Sequence, residues 1–290
     1  MIINSNIYED KFPLISVGVT VFKSLYLDRL LLKLIEQDYP NLEFIFSIDN
    51  PSEEIIFKLK KFKEKRGSTK LFINTPPLGP INNYKSCLKL ATGKYFLRID
   101  DDDEPLNENY INELYNKIYT GYDFVIPNVN TINEKNLPIR QNINIVYKNC
   151  NNKLDFCVAF FTESAMIFYS LFDRDKLISL KYKLSGKHYS EGIQNFETLI
   201  NLNGTYSSNT TLLYRIHTES VSTNGKPLDY IVDYNRYSIF IFILIFKSKF
   251  KFFKKIKLYK LLVFNYVKVL TYLFKSFLNN IFKRLLFLTN

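Results

Sequence analysis

The stretch Gly-Lys-Tyr-Phe-Leu-Arg-Ile-Asp-Asp-Asp-Asp-Glu-Pro, from Gly93 to Pro105, restricts the fold more than any other part of the chain. Lys94 to Ile99 is rich in β-branched and aromatic residues and follows a turn glycine, the signature of a short strand. That strand runs into four consecutive aspartates, Asp100 to Asp103, and stops at a proline. Adjacent carboxylates repel one another, so a fold that keeps them together must supply counter-charge. A hard divalent cation with oxygen ligands, Mg²⁺ or Mn²⁺, would do so and would bring phosphate oxygens with it. In open α/β sheets, ligands bind beyond the carboxyl ends of the strands, where this cluster falls. The plainer alternative is a solvated acidic turn. The apolar strand in front of it favours the metal–phosphate reading.

The residues before that strand alternate between two hydrophobic periods. Leu14–Val21 forms a strand, and Leu25–Gln37 carries Leu27, Leu30, Leu31, Leu34 and Ile35 at helical spacing. A second strand, Leu42–Ile48, delivers Asp49, and a lysine-rich amphipathic helix covers Glu53–Lys65. A third strand, Lys70–Asn74, leads through a Pro-rich loop to a helix over Ile81–Ala91. Strand and helix in alternation predict a mostly parallel central sheet with flanking helices. Thr20, Asp49 and Asp100–Asp103 then mark three strand ends on one edge, the outline of a nucleotide cleft. Beyond Pro105 the pattern predicts a helix over Glu108–Tyr119, a strand over Asp123–Pro127 and an Asn-rich loop or irregular hairpin over residues 128–155. Phe156–Tyr169 fits strand or helix equally. A helix from about Gly192 and a short strand over Thr211–Ile216 complete this part.

A chain of 290 residues with 47% hydrophobic content buries a sizeable core and is not disordered. Cys87, Cys150 and Cys157 form no CxxC pair and fit buried thiols in a reducing, cytoplasmic compartment. Met1–Asp10 shows no basic segment followed by an apolar run, the pattern of a secretory signal. Charge is segregated. Residues 1–229 carry 27 basic and 27 acidic side chains, whereas residues 230–290 carry 12 basic ones against the single acid Asp233. The expected organisation is a catalytic domain over 1–229 and a basic amphipathic helical tail over 230–290. In the tail, Ile239–Phe246 is too short an apolar run to span a bilayer. From Ile256 onward, Lys257, Lys260, Lys268, Thr271, Lys275, Asn279 and Lys283 recur every three or four residues apart from a gap around Phe264. This narrow basic stripe fits an interfacial helix lying on an anionic membrane, or a helix packed on the core with a solvated lysine face.

Five segments in order resemble the family 2 glycosyltransferases, over roughly Pro13–Ser222. They are the opening strand Ile15–Val21; Gln37-Asp38-Tyr39-Pro40-Asn41-Leu42-Glu43, similar to "Q-x-Y-P-N-x-E"; and Gly79–Lys85 with Asn83-Tyr84, similar to a "G-x-x-x-N-W" loop. The other two are Ala91-Thr92-Gly93-Lys94-Tyr95 with Ile99–Asp102, similar to "A-x-G-x-Y-…-L-D-x-D", and Tyr214-Arg215-Ile216-His217 with Ser220, similar to "Y-R-x-H-…-S". The resemblance implies a GT-A fold and an inverting enzyme that uses Mn²⁺ or Mg²⁺. Its donor would be a nucleotide sugar, a UDP-sugar foremost, and its acceptor a glycan or lipid-linked hydroxyl in bacterial surface polysaccharide synthesis. It places Asp49 against the base, Asn83 in the donor loop, Asp100 and Asp101 beside the nucleotide, and Asp102 and His217 on the metal. The family's Glu-Asp pair aligns near Gly192, so Glu191 becomes the general base with a one-residue shift, and Glu197 is a second candidate.

Chemically, departure of a nucleoside diphosphate develops negative charge that a metal neutralises. The acceptor hydroxyl needs a carboxylate within hydrogen-bond reach on the opposite face of the sugar. Several of these residues also have ordinary structural explanations. Asp49 also fits the N-cap of the helix after it, Thr20 an ordinary strand-end hydroxyl, and Arg215 a structural ion pair as readily as a phosphate ligand. Two other classes compete. A nucleotidyltransferase would need a Gly-rich phosphate loop near the first strand, which is absent. A nucleic-acid binder using the tail would place basic charge on the neutral residues 1–229 as well, so no nucleic-acid partner is expected. A peripheral position on the inner face of the cell membrane is.

Overall fold

A computed structural model describes residues 11–23, 25–162, 166–180, 189–217 and 227–288. Met1–Asp10, His188 and the segment Thr218–Ser222 lie outside the described residues. The described residues divide into two compact units. One comprises residues 11–151, 166–180 and 202–216, the other residues 152–162, 189–201, 217 and 227–288.

The first unit is built on one mixed sheet. Strands β1 (Ile15–Val21), β2 (Leu42–Ile48), β3 (Thr69–Ile73) and β4 (Tyr95–Asp100) run parallel in the order β3-β2-β1-β4. Every residue of β1 and β2 is buried, as expected for parallel strands covered on both faces. Between them lie α1 (Leu27–Ile35), which buries Leu27, Leu30, Leu31 and Leu34, and α2 (Glu53–Lys65), which buries Ile55, Leu59 and Phe62 and turns its lysines outward. Helix α3 (Pro80–Leu90) starts at Gly79, whose φ of 76° lies in the left-handed region that glycine tolerates best. The strand and helix boundaries predicted for residues 14–100 match these within two residues.

The other half of the sheet departs from the predictions. After β5 (Glu104–Pro105) and α4 (Tyr110–Ile118), β6 spans Phe124–Ile132, nine residues where five were predicted. The loop reading failed at Asn128–Ile132. Parallel pairing with β9 (Gly204–Arg215) continues through that polar run, and Asn128 is buried, its amide donating to Asn142 Oδ1 at 2.8 Å. β7 (Pro138–Arg140) pairs with the end of β6, so part of the Asn-rich segment is an irregular hairpin, followed by a 3₁₀ turn at Ile143–Tyr147. β8 (Leu171–Asp173), followed by α6 (Arg174–Ser179), joins the halves by antiparallel pairing with β4 and β6, and β5 pairs with β9.

One buried carboxylate ties the parallel strands to the entry of β4. Glu43 on β2 accepts from Ser16 Oγ at 2.5 Å, Thr92 N at 2.6 Å, Thr92 Oγ1 at 2.8 Å and Gly93 N at 3.2 Å, and its other oxygen accepts from Lys70 Nζ at 2.7 Å. A Cβ at Gly93 would lie 2.6 Å from Leu14 O, so only glycine brings the backbone this close. The Gln-to-Glu and Ala-to-Tyr sequence segments are thus two sides of one joint.

The second unit, taken by itself, holds α5 (Lys153–Thr162), α7 (Ser190–Asn201), α8 (Pro227–Lys247) and α9 (Phe252–Leu288). The segment that fitted strand or helix is helical at α5. Phe160 and Phe161 of α5 each meet the Phe196 ring of α7 at 5.3 Å. Helices α8 and α9 form an antiparallel hairpin. Tyr266 donates to Asn235 Oδ1 at 2.6 Å, and the Tyr259 and Phe242 rings lie 4.7 Å apart. No described helix is long and apolar enough to cross a membrane.

Burial opposes the charge on Glu43, but the Lys70 ammonium, the Ser16 hydroxyl and the two donors of Thr92 overcome it and hold the carboxyl at about 2. An unfolded glutamate titrates near 4.3, so the folded value is depressed and its stabilisation is present above about pH 4.3 and lost on descending toward 2. Glu43→Gln should therefore cost roughly 3 kcal/mol at pH 7. In urea titrations at pH 7, 4 and 3, the gap between variant and wild type should narrow as pH falls. A gap constant across the series would show that the ionised carboxylate is not the source.

Candidate active site

Parallel register assembles one edge. Thr20 pairs with Ser47 on one side and Asp100 on the other, so the ends of β1, β2 and β4 are level. Thr20 Oγ1 donates to Asp100 Oδ1 at 2.5 Å. Arg98, two residues earlier on the same face of β4, grips Asp100 with both arms, Nε to Oδ1 at 2.9 Å and Nη2 to Oδ2 at 2.8 Å. Its guanidinium lies 5.2 Å from both the Tyr84 and Phe168 ring centres. Asp100 is therefore an oriented carboxylate with its charge countered inside the domain. Period-two spacing on a strand could have exposed the Arg98–Asp100 pair in the sequence, which the reading above missed.

Asp49 does not cap α2. Ser52 does, accepting from Ile55 N at 3.2 Å. The buried Asp49 carboxylate accepts instead from Gly79 N at 2.7 Å, Leu78 N at 3.1 Å and Asn74 Nδ2 at 2.9 Å. Asn74 also donates to Ser47 Oγ at 2.9 Å and Asn83 Oδ1 at 3.4 Å. Thr20, Asp49, Asn83 and Asp100 thus share one polar layer, with Asp49 shaping the loop that opens α3.

The acidic turn is held residue by residue. Asp101 accepts from the backbone N–H groups of Phe22 and Lys23, each at 2.7 Å, which locks the turn to the end of β1. Burial pushes its carboxyl up to about 7, the neighbouring charges of Asp102 and Asp100 add to this, and the two N–H donors work against it. Buried Asp103 accepts from Tyr169 Oη and, at 2.8 Å, from Arg215 N. Burial raises its carboxyl well above the usual carboxylate range, with Asp102 and Asp100 adding to the shift. Glu104, also buried, accepts from Arg29 Nη2 at 2.7 Å and Arg215 Nη2 at 3.5 Å.

Arg215 is the structural ion pair of the two readings offered for it. It is 1% exposed, donates to Asp102 O at 3.0 Å and Asn136 Oδ1 at 2.7 Å, and lies 4.3 Å from the Tyr26 ring centre. Asp102, gripped through its backbone, keeps a partly exposed side chain. Among the described residues, no three His, Cys, Asp or Glu side chains converge as a metal cage. A magnesium-type cation needs none, because it takes one or two carboxylates and fills its other positions with water and phosphate oxygens. The oxygen-only donors of this turn fit that pattern.

Glu191 and His217 belong to the second unit. Glu191 is half-buried in the first turn of α7, and His217 is half-buried two residues after β9 ends. Glu197 faces inward, 6% exposed, beside the buried Ile193, Phe196 and Ile200. The glycine at 192, where an acid was expected, has a packing cause: a Cβ there would lie 2.9 Å from the Tyr237 ring of α8.

The sequence model of "Glycosyl transferase family 2" matches residues 16–180, more than half of the chain. A Campylobacter jejuni protein named GalNAc(5)-diNAcBac-PP-undecaprenol beta-1,3-glucosyltransferase is 28% identical over 173 residues, covering 59% of this chain and 55% of that protein. An uncharacterized glycosyltransferase of Haemophilus influenzae is 34% identical over 92 residues, 31% of this chain and 28% of its own. The chain thus spans about half the length, or less, of these relatives. Among solved structures, S. aureus TarS in complex with UDP-GlcNAc superposes with a TM-score of 0.69 at 16% identity, covering 84% of this chain and 70% of that one. The Pyrobaculum calidifontis mannosyltransferase PcManGT, in complex with GDP-Man and Mn²⁺, superposes with a TM-score of 0.53 at 13% identity, covering 81% and 64%. These likenesses give the fold as GT-A. Five ordered motifs, the sheet that carries them and a family match over residues 16–180 make this chain a member of glycosyl transferase family 2 and an enzyme of the glycosyltransferase class.

Proposed function

We propose that this glycosyltransferase moves a sugar from a nucleoside-diphosphate donor, a UDP-sugar foremost, to a hydroxyl of a glycan or lipid-linked acceptor, with inversion at the anomeric carbon. The observation that carries the proposal is the level edge where Thr20, Asp49, Asn83 and the acidic turn after β4 meet. The undecaprenol-linked substrate in the Campylobacter relative's name supports a lipid-linked acceptor. The UDP-GlcNAc bound to TarS supports the donor class.

Each residue has a distinct task. Asp49, fixed by two backbone N–H groups, shapes the loop against the nucleotide base, and Asn83 stands beside it. Asp100, oriented by Arg98 and Thr20, faces the ribose. Asp101 locks the turn to β1, so Asp102 is presented at a fixed height. Asp102, with His217, would hold Mn²⁺ or Mg²⁺. Bound there, the ion would supply positive charge to neutralise what develops on the leaving diphosphate. Glu191 takes the proton of the acceptor hydroxyl as it attacks the anomeric carbon, the carbon–oxygen bond to the diphosphate breaking on the far side. Buried Glu197 is the alternative base.

The tail of residues 230–290, net +11, holds the enzyme on the inner face of the cell membrane, where lipid-linked acceptors lie. Each basic residue near an anionic surface contributes about 1 kcal/mol, so half of the twelve would hold it there without a spanning helix.

Two outcomes test the chemistry. Asp102→Asn should lower transfer by roughly a thousandfold or more while secondary structure is kept, since a carboxylate charge is lost and no packing. Calorimetry should show UDP binding to wild type strengthened by Mn²⁺ and binding to the variant insensitive to it. Full transfer by the variant, or in EDTA, removes the metal role. Glu191→Gln should lower turnover by about 10² to 10⁴ with UDP affinity unchanged. An active Glu191→Gln beside a dead Glu197→Gln would move the base to Glu197.

A further inference from the structure

The lysines of the tail are not spread evenly along its helices. In residues 246–257, Phe-Lys-Ser-Lys-Phe-Lys-Phe-Phe-Lys-Lys-Ile-Lys, six lysines stand with no acid. The hairpin places this stretch at its tip. Contacts between Tyr266 and Asn235, Tyr259 and Phe242, and Lys255 and Phe246 step back symmetrically from the Ser248–Lys251 turn. Lys255 Nζ donates to Phe246 O at 2.6 Å, a cation closing the carboxyl end of α8, and Ser248 Oγ donates to Ile245 O at 2.7 Å. The turn is therefore a formed structure.

The tip also carries the most exposed aromatic side chain of the described residues. Phe253 is 82% exposed, Phe252 71% and Phe246 67%. Lys247, Lys249, Lys251, Lys254 and Lys257 are exposed around them. Exposed rings inside a ring of lysines suit one surface above others. The rings enter the boundary between headgroups and acyl chains, while the ammonium groups stay at the level of anionic phosphates.

The body of α9 is less suited to lying flat than its lysine stripe implies. Leu258 and Leu262, with Ile241 and Ile245 of α8, are buried, and Asn265 donates to Phe161 O of α5 at 2.8 Å. From Leu258 to Lys275, an exposed apolar set including Phe264 and Phe274 is accompanied by only three lysines, Lys260, Lys268 and Lys275.

We propose that the α8–α9 hairpin meets an anionic lipid surface tip-first, with Phe252 and Phe253 as the inserted residues and the five exposed lysines around them as the headgroup contacts. This rests on the membrane reading of the tail and replaces the flat stripe with a point of entry.

The chain contains no tryptophan, so single indoles report position without background. Phe274 lies 21 residues along α9 from Phe253, about 30 Å at 1.5 Å per residue, beyond the depth of an interface. The full chain carrying Phe253→Trp, and separately Phe274→Trp, is mixed with vesicles of phosphatidylglycerol and phosphatidylcholine, with and without acyl-chain bromine. The expected result is a blue shift and bromine quenching for the indole at 253 and neither at 274. Phe252→Ser with Phe253→Ser should raise the lipid needed for half-pelleting by roughly tenfold or more. Equal responses at both positions mean that the helices lie flat and overturn the tip. Pelleting with neither indole responding means contact through charge alone and also overturns it. No pelleting overturns the tip and the membrane reading together. UDP-sugar turnover in solution, measured on the same proteins, is unchanged by the tip substitutions, so a failure of the catalytic reading appears separately.

Discussion

Asp100 to Glu104 are five consecutive carboxylates, and their mutual repulsion is the constraint that the first unit is built to answer. The answer comes from separate elements. Arg98 on β4 takes Asp100, Arg29 on α1 takes Glu104, and Arg215 on β9 braces the turn through Asp102 O, the Asp103 carboxylate and Glu104. Backbone donors at the end of β1 take Asp101. Each counter-charge is delivered by a different strand or helix, so the turn is held by both halves of the sheet. A turn held in this way has its geometry fixed by the fold, as its proposed role beside a developing charge requires.

The same logic shows what could be seen in the chain and what could not. Strands β1, β2 and β4 are buried on both faces, so they appear as largely apolar runs, interrupted at Ser16, Glu43 and Arg98, whose ends, Thr20, Asp49 and Asp100, fall where expected. The acidic turn was legible because nothing else in the chain looks like it. The polar run Asn128–Ile132 was not legible as strand, because its pairing with β9 is a long-range event that local pattern does not encode. For Arg215, sequence offered two roles, and burial with five hydrogen-bond partners decided between them. Asp49 and Ser52 stand three residues apart before one helix. Either could cap it, and only geometry shows that Ser52 does while Asp49 reaches across to the Gly79 loop.

Two motif residues acquire physical reasons that a consensus string does not contain. Glu43 ends the Gln-to-Glu segment on β2, and its partners Thr92 and Gly93 lie in the Ala-to-Tyr segment before β4. The two segments are recognisable together because they are bonded together. The departure at Gly192 has a local cause as well, since the Tyr237 ring fills the space that a side chain there would need.

That last contact bears on how freely the parts of such an enzyme can be exchanged. Tyr237 lies on α8, the first arm of the hairpin, and Gly192 lies on α7 next to Glu191. Helix α8 is therefore packed directly onto the helix that carries Glu191. Grafting another helical segment in its place would open a void over Gly192 or force a ring-sized substitute into it. The helix that carries Glu191 would have to be repacked in the same step. A chimera that respects only the motif boundaries would cut through the middle of one packed body.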